Sequence, residues 1–192
     1  MTDTANPEQT ALLVMGYQAG IVGNIADADA LVPRMADTIA VARDRGAHIG
    51  YVRVAFADED YAAVPATNKL FSRLAEGRPM HADDPATQVH PDLAPRPEDI
   101  VVRKTRVGAF STTDLARRLA DRDVTTLVLA GIATSGVVLS TLRDAADHDY
   151  RLFVLADRCA DGDAEVHDVL TRKVFPRQVD VITSADLPAL LG

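Results

Sequence analysis

Residues 127–148 read LVLAGIATSGVVLSTLRDAADH, and the change of pattern inside this stretch decides the fold. Leu127 to Ala130 is a short unbroken apolar run, which suits a strand buried on both faces of a parallel sheet. Gly131 to Gly136 is rich in small residues and ends the run. From Val137 the apolar positions fall at helical spacing: Val137, Val138, Thr141, Leu142 and Ala145. The segment therefore reads strand, tight turn, helix. In open α/β sheets ligands bind in the crevice beyond the carboxyl ends of the strands. A helix N-terminus there offers free N–H groups and a partial positive charge to an anion or a developing oxyanion. A nucleophile would sit at this turn, and the turn carries no strong one.

The same unit recurs on both sides. Thr10 to Met15 is an apolar run that fits a central strand, and Gly16, Tyr17 and Gln18 at its carboxyl end should face the crevice. Ala28 to Arg45 has helical spacing through Leu31, Met35, Ile39 and Ala42, with Asp27 or Asp29 as N-cap and Gly46 as C-cap. Ala47 to Val54 is a second strand. Asp99 to Arg103 is a third, with Lys104 at its end. Gly108, Ala109 and Phe110 turn the chain, and Ser111 or Thr112 caps a helix over Thr113–Arg122. Later come a fifth strand (Tyr150–Leu155), a loop (Asp157–Asp163), a helix (Ala164–Val174), a sixth strand (Val179–Thr183) and a last short helix capped by Ser184. Alternation at this spacing predicts a three-layer α/β/α sandwich around a mostly parallel six-stranded sheet. It forms a single domain over residues 10–192, preceded by a flexible tail at 1–9. Residues 55–99 are rich in Pro, Asp and His, with a short helix over Asn68–Glu76 that turns Leu70, Phe71 and Leu74 inward. A loop this long packs over a site or a partner subunit.

Composition narrows the function classes. A chain of 192 residues is long enough to bury one sizeable core. A formal net charge of −8 argues against nucleic acid or an anionic membrane surface as partner. No apolar run approaches the roughly 18 residues of a membrane span. The N-terminus, MTDTANPEQT, lacks the basic region of a signal peptide. The single cysteine, Cys159, excludes an intramolecular disulfide and fits a reducing compartment, so a cytoplasmic location is expected.

TALLVMGYQAGIV near the N-terminus, VVRKTRVGAFSTTDL in the middle, and GIATSGVVLSTLRDAADHDY with VLADRCAD after it together resemble the isochorismatase-like, or cysteine hydrolase, superfamily. The resemblance covers residues 10–188 and implies that family's hydrolase fold. The family's usual chemistry is C–N hydrolysis by an Asp, a Lys and a Cys. A thiolate is a good nucleophile once a cation and a helix N-terminus lower its pKa, and the Asp can carry the proton. In this sequence the Asp position falls on Gly16, the Lys position on Lys104 and the Cys position on Val137. Isochorismatases proper keep the Asp and Lys without the Cys and cleave a vinyl ether. The resemblance also implies a kept Gln18, a G-x-x-T turn over Gly131–Thr134, and a cis peptide between Ile132 and Ala133. Metal-binding members carry Asp and His after the second strand; here that text is RVAFADEDY, without His, so no metal and no cofactor are implied. Family members pair, so a homodimer or larger homo-oligomer is expected, with a small molecule as substrate or ligand.

The resemblance thus implies a pocket between Gly16, Tyr17, Gln18, Lys104, Phe110 and the turn Ala133, Thr134, Ser135, Gly136 and Val137, with Lys104 as its catalytic residue. Lys104 reads either as an anchor for an anionic or carbonyl substrate or as a cation held by a backbone carbonyl or a nearby carboxylate. Without a carboxylate its pKa should be depressed. Cys159, as the only thiol, and Ser135, near the turn, are weaker candidates for a nucleophile, since no His stands beside Ser135 in sequence. Asp58, Glu59 and Asp60 could supply a substitute carboxylate. Three functions stay open. One is a hydrolase for a small carbonyl, amide or enol-ether metabolite. The others are a catalytically degenerate ligand- or partner-binding protein and a non-hydrolytic biosynthetic enzyme.

Overall fold

A computed structural model describes residues 4–192. Six strands form one sheet in the order β3-β2-β1-β4-β5-β6, with every neighbouring pair parallel. The strands are β1 (Thr10–Met15), β2 (His48–Val54), β3 (Ile100–Lys104), β4 (Thr126–Ile132), β5 (Arg151–Ala160) and β6 (Asp180–Ile182). The helices are α1 (Ala19–Val22), α2 (Ala28–Asp44), α3 (Asp58–Ala62), α4 (Lys69–Gly77), α5 (Leu115–Ala120), α6 (Leu139–Asp147), α7 (Ala164–Val169) and α8 (Leu187–Leu190). Side chains alternate along each strand. Leu12 and Val14 of β1 enter the core shared with α2 and α8, while Ala11, Leu13 and Met15 enter the core shared with α5 and α6. Both faces are covered, so β1 and β4 are buried at every position.

The order makes β1 and β4 the pair from which the chain winds outward in opposite directions. Their carboxyl ends are the topological switch point, where an α/β sheet opens a crevice. Met15 pairs with Gly131 there. A Cβ on Gly131 would stand 2.9 Å from the Met15 carbonyl oxygen, so the strand ends approach as closely as they do because residue 131 has no side chain.

Several elements differ from the sequence expectation. β5 runs to Ala160, beyond the expected end at Leu155, because a register shift after Leu129 lets Cys159 pair with Gly131 and Ala160 with Ile132. The expected 157–163 loop is thus half strand. α5 starts at Leu115, since Thr112 and Thr113 are engaged elsewhere: Thr112 Oγ1 accepts from Thr105 N, and Thr113 Oγ1 accepts from Leu115 N. The helix after β5 gives way at Leu170 to a wider π-turn that reaches Val174. Ser184 does not cap α8; its hydroxyl donates to Asp157, and Asp186 accepts from Thr183 instead. Asn68 caps α4 through Phe71 N, but Leu70 points outward, because only the Phe71 face meets the cluster of Phe56 and Tyr61. Of the expected tail, residues 1–3 lie outside the described residues. The remainder is docked: Ala5 N donates to Leu190 O, and Asn6 caps a short 3-10 turn. No described helix is long and apolar enough to cross a membrane.

Candidate functional site

The site is built where β1, β3 and β4 end. Gly16 leaves β1 with φ +71 and donates its N–H to the Val52 carbonyl at 2.8 Å. That left-handed conformation suits glycine. The Ile132–Ala133 peptide is cis. The turn that follows, Thr134–Val138, is a π-turn that feeds α6 and folds onto the Ala133 carbonyl, which accepts from Gly136 N and Val138 N.

Lys104 closes β3 and is 5% exposed. Its Nζ donates to the carbonyl of Arg106 at 2.9 Å. No carboxylate pairs with it among the described residues: Asp60 is bound to Arg103 and to Ala57 N, and Asp58 faces Arg78. Burial alone drives its pKa down to about 8, because a buried ammonium loses hydration. Of the substitute carboxylates considered, Asp58 and Asp60 are therefore committed elsewhere, and Glu59 is exposed and makes no ion pair with Lys104.

The other expected site residues divide. Gln18 is a structural tie. Its Nε2 donates to the carbonyls of Val54 and Thr87, and its Oε1 accepts from Val54 N. Tyr17 sits in the α2-side core, where its hydroxyl donates to Arg158 O and burial raises its pKa. Phe110 packs against His148 and Tyr150, next to the amino end of β5, so the structure places it at the far edge of the sheet. Val137 is buried in the α6-side core. Ser135 is exposed, and its N–H donates to Asp161 Oδ2 at 2.7 Å. Thr134 is fully buried, with Oγ1 2.9 Å from His167 Nδ1 on α7. Cys159 is buried on β5, and burial pushes its thiol up to about 12.

A groove of about 630 Å³ opens beside the switch point. Its lining comes from three parts of the chain: Gly20, Ile21, Asn24 and Ile25; Leu74, Pro79, Met80, Asp84, Ala86 and Thr87; and Ile132, Ala133 and Gly162. Of the expected site residues only Ala133 lines it. Sequence reading did not assign the rest of this lining, or His167, to the site. Helical spacing marked Leu74 as inward-facing but not as part of a groove. Nothing local marks Met80 or His167, which arrive from distant parts of the chain.

Parallel topology, a crevice at the β1–β4 switch point and a small-residue turn opening α6 define a doubly wound α/β protein with a small-molecule crevice at its strand ends. The Isochorismatase domain family matches residues 10–186, and the chain belongs to that family. It is 32% identical over 170 residues to the isochorismatase family protein YwoC of Bacillus subtilis, covering 88% of this chain and 87% of that one. It is 28% identical over 173 residues to maleamate amidohydrolase of Pseudomonas putida, covering 88% of this chain and 75% of the enzyme. In fold it is similar to a cysteine hydrolase from Pseudomonas syringae pv. phaseolicola, with TM-score 0.87, 24% identity, and coverage of 97% and 94% of the two chains.

Proposed function

We propose that the chain is a hydrolase that works without a thiol on a small carbonyl, amide or enol-ether metabolite, with Lys104 as electrophile and water as nucleophile. The carrying observation is the buried ammonium at the end of β3, which has no carboxylate partner among the described residues. An ammonium has three donors, and the Arg106 carbonyl takes one. Two remain for a substrate oxygen that gains negative charge as water adds. In a dry site such a fixed charge stabilises the transition state far more than it would in water. The family Asp and Cys positions, by resemblance, are Gly16 and Val137, which supply neither carboxylate nor thiol. Standard thiol chemistry is therefore not part of this reading. Similarity to a maleamate amidohydrolase supports a C–N bond as target.

The test is turnover of a panel of simple amides, maleamate, an N-carbamoyl compound and an enol ether by the parent chain and by Lys104→Met. A loss of about a hundredfold or more in the variant supports the reading; unchanged turnover overturns it. A second reading, a ligand-binding member without hydrolysis, is favoured by the contact between Gly16 and Ile132, which leaves no room for a carboxylate on residue 16. A ligand recovered intact after prolonged incubation with the parent chain would support that reading.

A further inference from the structure

We infer that the groove at the switch point selects a neutral ligand with an apolar body and an N–H donor, and that it discriminates against carboxylates. This concerns the groove itself, which Lys104 does not line, and so goes beyond the Lys104 reading. Its volume of about 630 Å³ is that of a small-molecule site. Ile21, Ile25, Leu74, Met80 and Ile132 give it an apolar body.

The polar atoms carry the argument. Asn24 Nδ2 spends one of its two N–H groups on the Gly20 carbonyl, which leaves Oδ1 as an acceptor beside the second N–H. Asp84 Oδ1 accepts from Ala86 N, which leaves its second oxygen. Thr87 Oγ1 already donates toward the carbonyls of His81 and Asp84. The groove therefore offers two acceptors, Asn24 Oδ1 and the second Asp84 oxygen, which suit the N–H of an amide, against one uncharged donor. Its one charged lining residue is the anionic Asp84.

Nearby cations are turned away. Arg78, next to Pro79, pairs with Asp58 and stacks on Tyr61. His81, next to Met80, also faces Asp58. Arg53 reaches the 82–87 segment but directs Nη1 at the carbonyls of Ala82 and Thr87. A carboxylate entering the switch-point groove would meet apolar walls and a like charge, and both disfavour it.

The experiment is calorimetric titration of the purified full chain with N-butylsuccinamate and with its methyl ester, which share body and amide and differ in charge. The ester is expected to bind about tenfold or more tightly than the carboxylate. Asp84→Lys, at an exposed position, is expected to remove or invert that preference. Equal binding of the two, tighter binding of the carboxylate, or no binding of either at millimolar concentration overturns the inference. Turnover is read separately. Selective binding of the ester without hydrolysis of any panel compound sinks the proposed function and sustains this inference. Hydrolysis of carboxylate substrates without ester binding does the reverse.

Discussion

A Cβ on Gly16 would stand 2.1 Å from the carbonyl oxygen of Ile132, well inside any real contact. The oxygen belongs to the last residue of β4, which pairs with Ala160 of β5, so it cannot simply swing aside. Gly16→Asp, the substitution that would restore the family carboxylate, therefore collides with it. It also forces a side chain into φ +71, a strain of about 1–2 kcal/mol on its own. Gly16→Asp and Gly16→Ala are both expected to lose at least about 2 kcal/mol in urea unfolding, and Gly16→Asp is not expected to gain turnover. A Gly16→Asp chain as stable as the parent would show that the Ile132 carbonyl yields.

Lys104 is expected to cost the fold stability at neutral pH. Its folded pKa is about 8 against an ordinary 10.5. Between those values the folded chain binds fewer protons than the unfolded one, so stability rises with pH across that window, and the penalty is fully present below it. Lys104→Met should therefore be more stable than the parent at pH 7, by up to roughly 3 kcal/mol. That advantage should shrink steadily from about pH 8 to 10.5. Denaturant titrations of both chains across pH measure it, and a variant less stable than the parent at pH 7 would mean that Lys104 is structural.

The electrophile role sets the sign of the activity profile. If the ammonium polarises the substrate, kcat/KM is level near neutrality and falls as pH rises through about 8. Lys104→Arg, which stays charged, should keep whatever activity it retains beyond that point. A profile that rises through the same pH would make Lys104 a base instead.

Gln18 should matter for folding more than for chemistry. Its side-chain amide joins the end of β1 to the backbone of Val54 and Thr87 through three hydrogen bonds, one buried and two half-buried. Gln18→Leu strands those groups without partners, at about 1–3 kcal/mol for each left unsatisfied. Urea midpoints should fall accordingly, with the groove wall at Thr87 loosened. A midpoint within error of the parent would show that water or other groups replace the amide.

Cys159 should be inert. Its thiol pKa near 12 leaves little thiolate at pH 8, so native alkylation by iodoacetamide should run about a thousandfold slower than for a free thiol. Full labelling is expected only in denaturant. Cys159→Ala should leave turnover unchanged; lost activity in a folded variant would return the thiol to the mechanism.

The sandwich was legible because periodicity is local. The apolar run Leu127–Ala130 and the helical spacing from Val137 are read within a few residues, and they correspond to β4 and the start of α6. That Lys104 ends β3 and a turn follows β4 was likewise legible, because strand ends in a parallel sheet share one edge; their part in a site came from the resemblance. Phe110 could not be placed that way. It lies past a strand end in sequence, but the chain turns back along α6 and carries it to the opposite edge. Gln18 and Tyr17 also sit at a strand end, but their side chains are spent on backbone partners from distant segments.

The sequence alone determined the layers, the all-important turn after β4, the empty Asp and Cys positions implied by resemblance, and a lysine at the end of β3, since each depends on residue type and short spacing. Tertiary structure alone decided what those residues face. It set Lys104 against one carbonyl with no carboxylate, pressed Gly16 onto Ile132, and brought Ile21, Leu74, Met80 and Asp84 around one groove. The physical reason is that partners, burial and hence charge state are fixed by contacts between segments far apart in the chain, which no local pattern encodes.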